Sequence, residues 1–493
     1  MSAQVIVVGA GLGGLAAAIE LAAAGASVTI VEALDRAGGK AGVETVDGVT
    51  FDTGPSLLTL PDIARQLLNR TPGGAARLEL VSPEPAFRYV WPDGVQIDVF
   101  MELERTLDHV GDVLGRAARD QLHGFVSYAA RIWEAAAPPF LFAPAPSLRR
   151  PPSLRQLTSL SRIDPLRTMQ QAIHSLVQDA HLRAILMRYA TYNGSDVRRA
   201  PATLNCIAHV ELALGGFGVK GGISALVDAL VQTAEDLGVK IRYNTPVQRV
   251  LTVGKRVVGV HADGRSHSAD AVVVNADPAH LSADLLLPGR RDGVRPSPEP
   301  SMSGWTGVFA ATRTPGRAAH TVVFAPDYEQ EFIDLFDHGR PPTSPTVYAS
   351  AQEVAHHRAG WPEHEPLFTM INLPPTSASQ PTRPTIPPGQ LAAQARSRLV
   401  QAGLLHGGDA LVWERDNAGL AARFPGSRGA IYGAASNSPW AAFQRPPNRC
   451  RGLPGLYLAS GGAHPGGGMP LALQSGRLAA AALCEDHSLP PAR

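Results

Sequence analysis

The first forty residues contain the feature that most limits what this chain can fold into. Residues 5–40 read VIVVGAGLGGLAAAIELAAAGASVTIVEALDRAGGK. Four β-prone residues lead into glycines spaced G-x-G-x-x-G, and an Ala/Leu-rich segment with helical periodicity follows. The next run, SVTIV, predicts a second strand that ends at Glu32. This order of strand, turn, helix and strand predicts an α/β fold with a Rossmann-type dinucleotide site.

Each part of this pattern has a physical role. Gly9 allows the tight turn, Gly11 lets the backbone approach a pyrophosphate, and Gly14 lets the helix pack closely on the strand. The pyrophosphate is expected at the helix N-terminus, where free N–H groups and the positive end of the helix dipole favour an anion. Glu32 is expected to accept hydrogen bonds from ribose hydroxyls. A glycine-rich turn formed by chance would not place all four parts in register.

Length and composition exclude several classes of protein. A chain of 493 residues is too long for one hydrophobic core, so we expect at least two domains. The formal net charge of +1 gives no reason to expect a nucleic-acid partner. Cys206, Cys450 and Cys484 lack the spacing of metal ligands, so no metal is expected, and their scatter suits a reducing cytoplasm. Neither a signal peptide nor a membrane-spanning run is predicted.

The pattern of elements indicates that the cofactor domain is discontinuous. We predict that it comprises residues 1–75, 220–285 and 450–493, and that residues 76–219 and 286–449 form a mixed α+β substrate domain. Within these segments the sequence predicts two hairpins, one at residues 86–100 around a Pro-Asp-Gly turn and one at 247–262. It also predicts an amphipathic helix at residues 224–237.

A second glycine-rich stretch lies near the C-terminus, GLYLASGGAHPGGGMPLALQSGR at 455–477. It predicts a short buried strand, a loop almost without side chains, and a helix opened by Pro470. We expect a ring of the cofactor to lie against the loop, with the helix N-terminus near its negative edge. His464 is the candidate catalytic residue; a histidine that only hydrogen-bonds the loop is an equal alternative.

The stretch RAGGK after Glu32 resembles the extended dinucleotide signature of flavoprotein oxidoreductases that are similar to amine oxidases. The resemblance implies FAD rather than NAD, with Lys40 near the phosphates. It also implies that FDTGPSLLTLP, at 51–61, places backbone against the flavin, although Gly-Pro-Ser alone is only a turn signal. Val247 is expected to contact the adenine through its backbone, and an ordinary buried strand residue explains it equally well.

Longer stretches resemble one family. GLYLASGGAHPGGGMPLALQSGRLAA, GAGLGGLAAAIELAAAG and FDTGPSLLTLP together resemble the bacterial phytoene desaturase family of FAD-dependent carotenoid desaturases. GAIYGAASNSPWAAFQRPPNR and RYATYNGSDVRRAPATLNCIAHVE are most similar to its 1-hydroxycarotenoid 3,4-desaturase branch. Ala463 departs from the threonine or valine expected there. The expected cofactor-binding residues are Gly9, Gly11, Gly14, Glu32, Gly39, Lys40, Gly54, Pro55, Ser56, Val247, Gly462, Gly467, Gly468 and Met469.

The resemblance implies an amine-oxidase-like architecture and a lipophilic carotenoid substrate. The implied reaction is hydride transfer to FAD with loss of a proton from the neighbouring carbon, followed by reoxidation by a quinone or oxygen. A cytoplasmic enzyme would collect such a substrate at a membrane surface, so residues 102–215 are expected to include a helical membrane-facing region. The docking candidates are Trp133, Phe140, Leu141, Phe142, Arg149, Arg150 and Arg155. A proline-rich surface excursion with its aromatic residues packed inward is an equal alternative.

Four other functions share this scaffold. A phytoene desaturase and a carotenoid or retinoid isomerase or saturase would use the same fold and cofactor. An amine oxidase would favour an aromatic cage beside the flavin. The chain has only six tryptophans, and this small number and the C-terminal glycine loop argue against an amine oxidase. A lipid-escort protein would not need Glu32 and RAGGK together.

Overall fold

The computed structural model describes residues 2–145, 162–287, 294, 299–376, 387, 389–490 and 492. Its strands are β1 (Gln4–Val8), β2 (Ser27–Val31), β3 (Val43–Val46), β4 (Val49–Asp52), β5 (Leu80–Val81), β6 (Phe87–Val90), β7 (Gln96–Val99), β8 (Gly218–Val219), β9 (Lys240–Arg242), β10 (Val247–Val253), β11 (Arg256–Ala262), β12 (Arg265–Ser268), β13 (Ala271–Val274), β14 (Ser303–Thr312), β15 (His320–Val323), β16 (Val347–Ala351), β17 (His364–Leu373), β18 (Ala410–Arg415) and β19 (Leu456–Leu458).

The α-helices are α1 (Leu12–Ala23), α2 (Asp62–Leu68), α3 (Leu103–Leu114), α4 (Arg116–Ala136), α5 (Met169–Leu176), α6 (Ala180–Arg188), α7 (Cys206–Leu212), α8 (Ile223–Asp236), α9 (Pro278–His280), α10 (Tyr328–Phe332), α11 (Gln352–His356), α12 (Gln390–Gln401), α13 (Asn417–Arg423), α14 (Ala441–Gln444) and α15 (Met469–His487). Short 3₁₀ turns lie at Gly74–Arg77, Tyr189–Asn193 and Ala202–Asn205, and π turns at Ala137–Leu141, Leu281–Leu285 and Ile333–Asp337.

A five-stranded parallel sheet has the order β19-β13-β1-β2-β9. Strand β13 is buried along its whole length and reads AVVV, because helices or strands cover both faces of the sheet. Helices α1, α2, α8 and α15 contribute to the core on one face, and the β10-β11-β12 sheet packs on the other. The strands come from all three segments predicted for the cofactor domain, and the domain boundaries stay a prediction.

A seven-stranded mixed sheet has the order β18-β14-β17-β16-β15-β6-β7. Only β15 and β6 pair in parallel; the other neighbours are antiparallel. The predicted hairpin around Pro-Asp-Gly is confirmed as β6 and β7. Helices α3 to α7 pack beside these two strands in one core. Among the described helices, none combines the length and apolar character needed to cross a bilayer.

Asp52, at the end of β4, connects helix α8 to the segment that follows β16. Its buried carboxylate accepts hydrogen bonds from the N–H groups of Ile223, at 2.6 Å, and Ser224, at 3.3 Å, at the start of α8. The same carboxylate pairs with Arg358 at 2.7 Å. The Asp52 backbone exchanges two hydrogen bonds with the side chain of Gln352, at 2.9 and 2.8 Å. A negative charge at a helix N-terminus is favourable, so one residue holds α8 and the segment after β16 together.

We predict that Asp52→Ala lowers the free energy of unfolding by about 3–5 kcal/mol, because it leaves the largely buried Arg358 without its counterion. Thermal unfolding measures this as a fall of the midpoint by several degrees. The control is Glu79→Ala, which removes an ion pair with Lys220 whose acidic side chain is 64% exposed and should leave the midpoint unchanged. Equal midpoints for both variants would show that Asp52 does not carry this connection.

Candidate active site

A first cavity, of about 600 Å³, lies at the carboxyl ends of the parallel strands. Its wall includes Val8 of β1, Glu32 after β2, Asn275 after β13 and Ser460 after β19. Open α/β sheets bind ligands at this edge, where the loops after several strands meet.

The turn between β1 and α1 has no room for side chains. Gly9 has a φ of +97°, in the region that favours glycine. A Cβ atom on Gly11 would lie 2.5 Å from Oδ1 of Asn275, and one on Gly14 would lie 2.1 Å from the carbonyl oxygen of Gly9. No side chain caps the start of α1, and Gly11 and Leu12 line the first cavity. The helix N-terminus is therefore available to an anion.

Glu32 is buried at the end of β2 and faces the same cavity. Its carboxylate accepts hydrogen bonds from the backbone N–H groups of Ala10, at 2.6 Å, and Leu34, at 2.8 Å. An ionised carboxylate has about four acceptor positions, so two remain for hydroxyl groups of a ligand. Val247 lines this end of the cavity, since the N–H of Thr245 donates to the Glu32 carbonyl at 2.8 Å.

Lys40 also lines the first cavity and ties a distant segment to it. Its Nζ donates to the carbonyl oxygens of Ala430, at 2.7 Å, and Ile431, at 3.1 Å. Burial lowers the pKa of Lys40, and the carboxylate of Asp277 opposes that shift. Burial also disfavours the charged form of Asp277, which lines the same cavity, and so raises the pKa of that carboxyl group.

The C-terminal glycine loop contacts other parts of the chain as well as the cavity. A Cβ atom on Gly467 would lie 2.4 Å from the carbonyl oxygen of Tyr432, and one on Gly462 would lie 2.6 Å from the Pro278 ring. The loop therefore lacks side chains partly because protein backbone approaches it. Gly468, with a φ of +98°, precedes α15, whose first turn has no side-chain cap.

Eight residues line both the first cavity and a second one, and we call them the shared wall. They are Gly54, Pro55, Phe368, Met370, Tyr432, Gly467, Gly468 and Met469. The shared wall is therefore where a group bound in one cavity can touch a group bound in the other.

The second cavity, of about 500 Å³, is mainly apolar. Among the described residues that line it, none is Asp, Glu or Lys. Its Arg188 is neutralised by Glu211 at 3.1 Å. Its Arg445 donates instead to neutral acceptors, the carbonyl of Ala434 at 3.2 Å and the hydroxyl of Ser436 at 3.1 Å, and burial lowers the pKa of Arg445 to about 10. The described lining thus offers no negative charge to pair with a cationic ligand.

His464 lines the second cavity and makes three hydrogen bonds to the protein. Its Nε2–H donates to the carbonyl of Ala143 at 2.8 Å, which fixes the tautomer. Its backbone N–H donates to Pro446 at 2.9 Å, and its carbonyl accepts from Asn448 at 2.9 Å. Burial lowers the pKa of His464, so the ring is neutral. A catalytic role for it stays a prediction.

Twelve of the fourteen predicted cofactor-binding residues line the first cavity; Gly14 lies behind the turn, and Ser56 lines only the second cavity. The sequence did not indicate Asn275, Asp277, Arg415 and Tyr432, which also line the first cavity. Asn275 carried a usable signal, because a polar residue directly follows a fully buried strand that pairs with β1.

Comparison with known proteins identifies the family. The family model described as flavin containing amine oxidoreductase matches residues 12–484. The chain is 36% identical over 498 residues to hydroxyneurosporene desaturase from Cereibacter sphaeroides, with 98% of each chain covered. This chain belongs to the carotenoid desaturase family of flavin-containing amine oxidoreductases. It is an FAD-dependent oxidoreductase, as its resemblance to this family implied.

Two further comparisons agree with this family. The chain is 27% identical over 481 residues to 1-hydroxycarotenoid 3,4-desaturase from Flavobacterium sp. (strain P99-3), with 97% of this chain and 98% of the relative covered. Its fold is that of cyclohexylamine oxidase from Brevibacterium oxydans IH-35A, with a TM-score of 0.62, 17% identity, and 99% and 100% of the two chains covered.

The residues of the first cavity fit FAD. The bare turn at Gly9 and Gly11 leaves space for a pyrophosphate at α1, and Glu32 keeps acceptors for a ribose. The shared wall includes Gly467 and Gly468 of the glycine loop, where the ring is expected.

We predict that Glu32→Gln raises the dissociation constant of FAD roughly ten- to hundredfold, because a charge-assisted acceptor is lost and an amide N–H₂ faces backbone donors. Titration of the flavin-free protein with FAD, followed by flavin fluorescence, measures the constant. Asp35→Asn is the control, since that side chain is 68% exposed and pairs with the neighbouring Arg36. An unchanged constant in Glu32→Gln would remove Glu32 from the cofactor site.

Proposed function

We propose that this protein is a carotenoid 3,4-desaturase that acts on an acyclic, 1-hydroxylated carotenoid. The observation that carries the proposal is the shared wall, which joins the FAD cavity to a second cavity of apolar character. The names of the two desaturase relatives support the substrate class, since both indicate hydroxylated carotenoids.

The charges around the second cavity favour a polyene over an amine. A cation taken from water into an apolar site is destabilised unless an opposite charge pairs with it. The described lining residues include no carboxylate, and Glu211, which lies behind the wall, already pairs with Arg188. An uncharged hydrocarbon loses nothing in such a cavity and gains from the burial of its apolar surface.

In the proposed reaction the substrate loses two hydrogens from adjacent carbons. FAD, when bound, supplies the hydride acceptor. The protein holds the carbon chain against the shared wall and keeps water out, with side chains such as Leu57, Ile207 and Val210. The N-terminus of α15 begins at this wall, where its dipole favours negative charge. The carbon next to the hydride donor gives up its proton to a base, for which the neutral His464 in the lining is the candidate, and the adjacent polyene spreads the developing positive charge.

We predict that expression in carotenoid-producing bacteria lengthens the conjugated chain only where a 1-hydroxylated acyclic carotenoid accumulates. Pigment extracts from that strain and from a phytoene-accumulating strain, separated by chromatography, provide the measurement. Coloured products from phytoene would instead make the protein a phytoene desaturase. A change of geometry without longer conjugation would make it an isomerase, and a decrease in conjugation a saturase.

The mouth of the second cavity is proposed to face a membrane, because its substrate dissolves in lipid. Three exposed apolar side chains directly adjoin lining residues: Phe142 beside Leu141, Leu166 beside Pro165 and Trp440 beside Pro439. Leu166 is 91% exposed and Trp440 is 68% exposed. Apolar groups at this level of exposure suit insertion between headgroups.

The candidate residues Trp133, Phe140 and Leu141 line the cavity, whereas Arg149, Arg150 and Arg155 lie outside the described residues. A cytoplasmic, peripheral location and a quinone or oxygen acceptor stay predictions.

We predict that replacing Phe142, Leu166 and Trp440 together by serine lowers binding to liposomes several-fold, since three apolar side chains no longer enter the interface. Cosedimentation with vesicles measures the bound fraction. The matched control is Val253→Ser, because Val253 is 70% exposed on the β10–β11 hairpin and lines neither cavity. Equal binding by the triple variant and the unaltered protein would contradict the proposed membrane face.

A further inference from the structure

A chain of three hydrogen-bonded side chains begins at the second cavity. The hydroxyl of Ser56 lies 2.5 Å from the hydroxyl of Tyr348, which lies 2.8 Å from Nδ1 of His320. Both Ser56 and Tyr348 line the second cavity, while His320 is completely buried behind them. The imidazole ring is fixed by contact with the Phe87 ring, with ring centroids 4.8 Å apart.

This chain lies at the shared wall. Ser56 directly follows Gly54 and Pro55, which belong to the wall. Tyr348 pairs with Met370 across β16 and β17, and its ring meets that of Phe368 at 6.5 Å. Two separate elements therefore bring the hydroxyls of Ser56 and Tyr348 to the place where the cavities join.

The three hydrogen-bonded side chains carry no charge, and Ser56 keeps one hydrogen-bonding position open. Burial, helped by the nearby His356 and Arg188, holds the pKa of His320 well below its usual value, and burial raises the pKa of Tyr348 to about 12. A neutral imidazole nitrogen can accept from Tyr348 or donate to it, so the two hydroxyls can point in either direction. In both directions Ser56 retains the capacity for one further hydrogen bond, as acceptor or as donor.

The chemistry of the proposed substrate requires such a group at this place. In a 1-hydroxylated carotenoid, only a few bonds separate the hydroxyl from the carbons that lose hydrogen. When those carbons lie against the shared wall, the hydroxyl must lie beside it too. Two hydroxyl positions are available there: Ser56, which directly follows the wall residues Gly54 and Pro55, and Tyr432, which belongs to the wall, whereas the hydroxyl of Tyr328 lies outside it.

We propose that Ser56, oriented by Tyr348 and His320, binds the substrate hydroxyl and so selects hydroxylated carotenoids over carotenoids that lack this group. The inference rests on the proposed function and extends it to named residues. Ser56 is the binding residue, and the other two are positioning residues. A polar group built to pair with a hydroxyl discriminates against a substrate that leaves it unpaired.

The test compares kcat/KM for a 1-hydroxylated acyclic carotenoid and for the same carotenoid without the hydroxyl, using the FAD-loaded full chain with detergent-dispersed substrate. Ser56→Ala and Tyr348→Phe are each expected to reduce the preference for the hydroxylated substrate about ten- to hundredfold. In the unaltered protein a carotenoid without the hydroxyl leaves the Ser56 hydroxyl unpaired, and each variant removes or disorders that group. Flavin absorbance of each purified variant verifies that the fold is retained. Tyr328→Phe removes a cavity hydroxyl away from the shared wall and should leave the ratio of the two constants unchanged.

Three results would overturn the inference. One is a preference that survives in both Ser56→Ala and Tyr348→Phe while their flavin is retained. Another is a preference for the hydroxylated substrate that is lost in Tyr432→Phe, at a residue of the shared wall, and kept in Ser56→Ala. The third is that the unaltered protein desaturates both carotenoids equally. The inference about selectivity then fails, while the proposed desaturase function stands. If the unaltered protein desaturates neither carotenoid, the proposed function itself fails.

Discussion

The direct packing of helix α1 against helix α15 is the contact on which the site depends. A Cβ atom on Gly476 would lie 2.2 Å from the carbonyl oxygen of Gly13 and 2.7 Å from the Cβ of Ala16, so the two helices meet backbone to backbone. Both helices begin without a side-chain cap, at Gly11 and Gly468, and both beginnings line the first cavity. Residues 12–23 and 469–487 thus bring two positive helix termini to the cavity in which we propose that FAD binds.

The shared wall converts this cofactor site into a reaction site of limited scope. Its residues come from the segment after β4, from β17, and from the segments around Tyr432 and Gly467. Lys40 holds the segment just before Tyr432 through two backbone carbonyls, so a residue of the first cavity also positions part of the shared wall. Because the described residues that line the second cavity include no carboxylate, we propose that selectivity there depends on shape and on neutral hydroxyls rather than on charge pairing.

The parts that the sequence predicted depend on local pattern. The glycine spacing, the acidic residue after β2 and the helix after the C-terminal loop are each encoded within a few residues, and the family resemblance added Lys40, Gly54 and Val247. The parts that it missed depend on pairing between distant strands. Tyr348 reaches the shared wall only because β16 pairs with β17, and Asn275 reaches Gly11 only because β13 pairs with β1. The bare glycine loop was predicted to accommodate a ring; its contact with Tyr432 is a long-range feature that no local pattern contains.

The most direct measurement of the central claim is the redox state of the flavin during a single turnover. The FAD-loaded protein is mixed without oxygen with a 1-hydroxylated acyclic carotenoid, and the flavin and polyene absorption bands are followed together. The account predicts that oxidised flavin disappears as the polyene band shifts to longer wavelength, with one double bond formed for each flavin reduced. A polyene band that shifts while the flavin stays oxidised, or a flavin that stays oxidised with the carotenoid bound and unchanged, would contradict it.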